Sequence, residues 1–201
     1  MKLRYLIAIG GLILMSFNQH KKLEIGESAP LSSYEMKDIS GKSLSLDQLK
    51  GENGLLVIYS CNTCPYVIAW EKEYNKLFEI AKREKMGMVL INSNEGKREG
   101  VDSMEEMKKH AKEENYTMPY VIDKDNQLAD AFGANTTPHI YLFDAKLKLA
   151  YTGLIDNMYD NKDRVATEFY LMDAMVALGN GLDIKLDRTQ NRGCSIKRKH
   201  S

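Results

Sequence analysis

The chain has 201 residues, and its 28 basic and 28 acidic side chains cancel while 43% of its residues are apolar. That length allows one well-cored domain of about 150 to 175 residues plus a leader, and the balanced charge excludes a nucleic-acid-binding surface and a disordered acidic chain, leaving proteins or small molecules as partners. Three cysteines are too few for a disulfide-stapled scaffold and favour redox or metal use.

At the start of the chain, Lys2 and Arg4 precede an uncharged run from Tyr5 to Phe17 that Lys21 and Lys22 close. Its 13 residues fall short of the roughly 20 needed to span a bilayer as a helix and suit the apolar part of a signal peptide. Leu14-Met15-Ser16 is a poor cleavage signal and no cysteine follows that takes a lipid. Residues 1–22 are therefore expected to be a signal peptide or a retained N-terminal anchor, with residues 23–201 exported to the periplasm, free or tethered facing it. Any membrane contact is expected through residues 1–22 alone. The plainer reading makes Tyr5 to Phe17 an N-terminal core element.

Ile25 to Pro30 reads as a linker, and Tyr34 to Leu46 as a hairpin around Ser40-Gly41, where glycine supplies a positive φ. Gly54 to Tyr59 is an apolar strand. The cysteine stretch then opens a helix in which Pro65 sits early, where its missing N–H costs little, and Val67, Trp70, Tyr74, Leu77, Phe78 and Ala81 recur at helical spacing. Met86 to Asn92 is a second apolar strand. Ser103-Met104-Glu105-Glu106 matches a capping box that starts a polar helix running to about Asn115. Tyr120 to Asp123 is a short strand, Asn126 to Phe132 a short helix ended by Gly133, and His139 to Phe143 with Leu147 to Tyr151 an antiparallel hairpin. Val165 to Leu178 is the last helix, stopped by Gly179. Strands alternating with helices, followed by a hairpin and a helix, describe an α/β mixed sheet covered on both faces, with the early hairpin as an N-terminal extension.

The chemistry concentrates at Cys61-Asn62-Thr63-Cys64-Pro65, between the first apolar strand and the helix. In a helix's first turn, positions i and i+3 share a face with Cα atoms roughly 5 to 6 Å apart, a separation that a disulfide tolerates. Partial positive charge at the helix N-terminus favours a thiolate on the first, more exposed cysteine, so Cys61 is the expected attacking sulfur. An inert or structural cysteine pair is the plain alternative.

This C-x-x-C, together with Thr136-Thr137-Pro138 before a later strand, resembles the thioredoxin fold. Tyr59 to Val67, Gly133 to Pro138, Tyr151 to Asp156 and Gly193 to Lys197 are similar to the peroxiredoxin-like, AhpC/TSA-related branch of the redoxins, over about Leu23 to Lys197. The resemblance implies that Cys61 is the nucleophile and Cys64 the resolving thiol. It implies that Pro138 is a cis residue whose loop lies against the pair and that the Thr137 backbone pairs with a bound peptide. The chain departs from the peroxiredoxin signature, which places proline and threonine seven and three residues before the reactive cysteine: Val57 and Cys61 precede Cys64 at those offsets, and Gly54 and Ile58 precede Cys61. It also carries Ser60 where thioredoxin has a tryptophan, and an apolar strand where thioredoxin has an aspartate.

Thiol–disulfide exchange on a protein or small-molecule disulfide is the favoured function, with an upstream thiol reductant or oxidant as partner and no metal or organic cofactor. The alternatives are a thiol peroxidase working through a sulfenic acid on Cys61, a zinc or copper module recruiting His139 as third ligand, and a catalytically silent interaction module. Cys194, in the basic tail from Arg192 to Lys199, is an additional candidate redox thiol that resolves a Cys61 intermediate, links two chains, or stays unpaired. Asp156, Asp160 and Asp163 read as turn and cap residues, because no EF-hand glycine accompanies them, and Trp70 and the methionines as core filling.

Overall fold

The computed structural model describes residues 22–199, so the expected leader lies outside the described residues apart from Lys22. The central sheet has seven strands: β1 (Met36–Asp38), β2 (Ser43–Leu44), β3 (Gly54–Ser60), β4 (Met86–Asn92), β5 (Tyr120–Ile122), β7 (His139–Phe143) and β8 (Leu149–Gly153), while β6 (Thr136–Thr137) and β9 (Cys194–Ser195) form a separate two-stranded ladder. Across the main sheet the order is β2-β1-β5-β4-β3-β7-β8. β3 runs parallel to β4 and antiparallel to β7, and β4 runs parallel to β5. The sheet is therefore mixed.

Every residue of β3 is buried, which explains its continuous apolar reading: a strand covered on both faces has no solvent side to alternate with. Leu56 and Ile58 point into one core with Val67, Trp70, Met88, Ile140 and Leu171. Leu55, Val57 and Tyr59 point into the other with Leu46, Val121, Phe132, Tyr141 and Phe143. Each fully buried Leu, Ile or Val adds roughly 1.5 to 3 kcal/mol relative to exposure, so a one-residue slip of β3 would exchange two complete sets of contacts.

The first core is roofed by α2 (Pro65–Trp70), α3 (Tyr74–Arg83), α4 (Met104–Glu113) and α6 (Tyr170–Gly179), and the second by α1 (Leu46–Leu49) and α5 (Gln127–Phe132). A 3-10 turn over Glu71–Glu73 joins α2 to α3. The spacing-based stripe holds: Val67, Trp70, Tyr74, Leu77 and Ala81 are buried. The hairpin turn also holds, with Gly41 at φ 88°. Ser103 caps α4 by accepting the Glu106 N–H at 3.2 Å, and Gly133 ends α5 in the left-handed conformation.

Several boundaries shift by a residue or two, Gly179 lies inside the last helix rather than stopping it, and three starts differ with a physical reason. β8 begins at Leu149 rather than Leu147, because Leu147 lies in the turn with φ 55° and donates its N–H to the Asp144 carbonyl. α6 begins at Tyr170 rather than Val165: the Asn157 side chain accepts the N–H groups of Thr167 and Glu168, which holds that stretch as a loop and leaves Val165 60% exposed. The helix after the cysteines begins at Pro65, leaving Cys61 outside it and Cys64 at its N-cap.

Candidate active site

At the C-terminal end of β3 the chain turns through Cys61 to Cys64 before α2 starts. Cys61 and Cys64 are 2% and 4% exposed, so the first cysteine is not the more accessible one. Opposite them lies the Thr137–Pro138 peptide, which is cis. Thr137 touches both sulfurs: its hydroxyl Oγ1 is 3.4 Å from Cys61 Sγ, and its carbonyl accepts from Cys64 Sγ at 3.0 Å. Cys61, Thr63, Cys64, Pro65, Thr137 and Cys194 contribute to the wall of a cavity of about 220 Å³.

The contact between the two sulfurs decides where negative charge settles. Cys64 is held below the ordinary thiol range by hydrogen bonding from Cys61, aided by Cys194 and by the Val67 N–H of the first turn of α2, with burial opposing. Cys61 is pushed up by the same contact with Cys64 and by burial. The expected thiolate on Cys61 is thus displaced to Cys64, chiefly because the hydrogen bond between the two sulfurs runs from Cys61 to Cys64, with Cys194 and then the Val67 N–H adding smaller contributions. The Thr137 carbonyl works the other way, since it favours a protonated Cys64. The proton of the pair is consequently shared within a short hydrogen-bonded group.

Sequence reasoning missed the carboxylate that fixes this loop. Asp102 is fully buried; its Oδ1 accepts the Asn62 backbone N–H at 3.0 Å and Asn92 Nδ2 at 2.8 Å, and its Oδ2 accepts Asn94 Nδ2 at 3.0 Å. Asn62 closes the ring by donating to the Val101 carbonyl and accepting from Tyr120 O–H. A buried network satisfied on this scale rigidifies its members. The two residues between the cysteines are therefore held from a loop some forty positions downstream.

His139 does not join the cysteines. It lies on β7 opposite Tyr59 and packs on Tyr141, ring centroids 4.5 Å apart, and burial pulls its pKa down to about 3. No group of three or more His, Cys, Asp or Glu side chains among the described residues is arranged to hold a metal ion. Asp156 accepts the Met158 N–H at 2.9 Å, the turn role expected of it, and also the Trp70 Nε1–H at 2.8 Å, an anchoring role the sequence did not signal. Cys194, by contrast, reaches the site: β9 pairs antiparallel with β6, Thr137 opposite Cys194, and Cys194 Sγ is 2.6 Å from Cys64 Sγ.

A mixed sheet covered on both faces, with two cysteines at the end of its central strand facing a Thr-Pro loop, defines a thioredoxin-like redoxin. Residues 25–152 match the AhpC/TSA family, and the chain belongs to that family. It is 26% identical over 157 residues to the thiol-disulfide oxidoreductase ResA of Geobacillus thermodenitrificans, covering 74% of this chain and 81% of the relative. Among solved structures, a hypothetical protein from Sinorhizobium meliloti superposes with a TM-score of 0.82 at 26% identity, covering 90% of this chain and 98% of the other. An uncharacterized conserved protein from Geobacillus kaustophilus gives 0.81 at 31% identity, covering 89% and 94%. These similarities make the chain an oxidoreductase of the redoxin class.

Proposed function

We propose that the protein is a thiol–disulfide oxidoreductase in which Cys61 attacks a substrate disulfide and Cys64 resolves the product. The observation that carries this reading is the contact of Thr137 with both sulfurs beside the cavity. In the reduced protein, Cys61 passes its proton to Cys64 as its own sulfur attacks. One substrate sulfur is bound to Cys61, the other leaves as a thiolate and is protonated from solvent. Cys64 then attacks Cys61 Sγ as its proton passes to the departing substrate sulfur, the mixed disulfide breaks, and the substrate departs with both sulfurs reduced and two electrons gained from the pair. Thr137 Oγ1 is placed to donate to Cys61 while that sulfur carries charge, and the cis bond to Pro138 sets the Thr137 backbone against the pair. The Thr137 backbone edge, which β9 occupies in this structure, is the proposed docking edge for a peptide substrate once β9 lifts from it, with a small disulfide entering the cavity directly. No metal or organic cofactor takes part. The substrate is a disulfide-bearing protein or small molecule, with a thiol reductant or oxidant upstream. The charged and apolar pattern of residues 1–22 supports export, with this chemistry in the periplasm.

Reduction of insulin disulfides by dithiothreitol tests the reading. The wild-type protein is expected to accelerate precipitation of the insulin B chain, and Cys61→Ser to abolish the acceleration. A wild-type rate equal to the uncatalysed one counts against it, and rapid peroxide consumption without a disulfide substrate shifts the assignment to a peroxidase.

A further inference from the structure

The reading above uses two of three cysteines, yet the third is built into the site. From Asp187 onward the C-terminal segment runs across it and is pinned on both sides. Before the site, Thr152 donates its N–H to the Asp187 carbonyl and Thr189 donates its N–H to the Thr152 carbonyl. Arg192 donates to the Tyr159 carbonyl at 3.2 Å and pairs with Asp160 at 3.3 Å. After the site, Ile196 donates its N–H to the Asn135 carbonyl and is itself buried. The Lys197 N–H bonds Asn94 Oδ1 at 2.8 Å, and Arg198 holds Asp130 at 2.7 Å. Between these anchors, Gly193 lies flat on the Thr137 carbonyl, where a β-carbon would stand 2.5 Å away. This geometry fixes Cys194 opposite Thr137 and puts its sulfur on that of Cys64.

We propose that Cys194 is a third redox-active thiol of this site, which takes the disulfide from the C-x-x-C pair by exchange at Cys64, so that the oxidised protein carries a Cys64–Cys194 bridge and a free Cys61. The inference rests on the proposed thiol–disulfide chemistry, which generates the Cys61–Cys64 disulfide. Deprotonated Cys194 attacks Cys64 Sγ; the Cys64–Cys194 bond forms and the Cys61–Cys64 bond breaks. Cys61 leaves as a thiolate and takes up the proton that Cys194 released, so no net electrons move. The geometry favours the exchange: Cys64 is the sulfur that both other cysteines engage, whereas Cys61 has its additional hydrogen bond to the Thr137 hydroxyl. β9 already covers Thr137 with the thiols free; the bridge locks that cover in place, so the peptide-docking edge cannot open while the protein is oxidised.

Disulfide mapping of the full chain tests this. The protein is oxidised with one equivalent of diamide, quenched in acid, alkylated and digested with trypsin. Cleavage places Cys61 and Cys64 together on residues 51–72 and Cys194 on residues 193–197. A monomer in which these two peptides are joined is expected for the wild type and for Cys61→Ser, with the joined species lost in Cys64→Ser. Oxidised wild type holding only the loop within residues 51–72 overturns the inference and leaves the proposed function standing. A dimer linked through Cys194 also overturns it. Absence of any disulfide among the three cysteines overturns both readings. Fragmentation of the joined wild-type species locates the alkylated free cysteine: alkylation on Cys61 is expected and alkylation on Cys64 overturns the inference, so misfolding of a substituted chain does not obscure the answer.

Discussion

Gly193 packs against the carbonyl of Thr137 so closely that a β-carbon on it would meet the oxygen at 2.5 Å and the carbonyl carbon at 2.8 Å. Both atoms are backbone, so neither can rotate away. Gly193→Val is expected to lift β9 from Thr137, speed reaction of Cys64 with an aromatic disulfide reagent, and cost about 1 to 3 kcal/mol in urea unfolding. Gly100→Ala serves as the control, since its β-carbon meets only the Lys97 carbonyl at an ordinary 3.9 Å. Equal thiol reactivity in the two variants would contradict the description of β9 as a cover.

Asp102 accepts three hydrogen bonds from Asn62, Asn92 and Asn94. Asp102→Ala strands buried donors, each costing about 1 to 3 kcal/mol, and frees the Asn62 N–H between the cysteines. We expect a large loss of stability, and in Asp102→Asn a smaller loss with a fall in disulfide-reduction rate. Unfolding by urea measures the first and the insulin assay the second. A fully active, fully stable Asp102→Ala protein would remove this residue from the site.

Cys61 hydrogen-bonds Cys64 and lowers its pKa. Thiolate ultraviolet absorbance of the reduced protein is therefore expected to persist well below the free thiol pKa of about 8.5. Cys61→Ala removes the donor, and the midpoint of that absorbance should move to higher pH. A titration that Cys61→Ala leaves in place would mean the charge is stabilised elsewhere.

His110 Nε2 and Tyr116 O–H both contact Glu71 Oε2, at 2.8 and 3.1 Å, and Glu71 is only 5% exposed. The hydrogen bond to Glu71 raises the His110 pKa, with burial opposing. A raised folded pKa contributes stability that is complete below the unfolded value of about 6.5 and is lost as pH rises through the folded pKa. The wild-type urea midpoint should therefore fall more steeply across that window than that of His110→Gln. Parallel slopes would show that the pair does not couple to folding.

Much of this architecture is legible in the residues. β3 and β4 announce themselves as apolar runs, α3 by its stripe, the hairpin by Gly41 and the cysteine pair by its spacing. What escapes is what depends on distant partners. Asp102 sits in Gly100-Val101-Asp102, which reads as an exposed turn, and its burial follows only from three asparagines brought together by folding. The β6–β9 ladder is two residues long on each side, too short for any periodicity, although Gly193 beside Cys194 marks a close backbone approach. The favoured thiolate also escapes, because it depends on the contacts of Cys64 with Cys61 and with Cys194, 130 positions away.

Trapping the mixed disulfide separates the attacking thiol from the resolving one. Cys64→Ser lacks the resolving thiol, so mixing it with glutathione disulfide at mildly alkaline pH should stall the reaction after the first attack. One glutathione per chain is expected, located by peptide mass on Cys61 and released by dithiothreitol. An adduct on Cys194 with Cys61 unmodified, or no adduct at all while the variant stays folded, would contradict it.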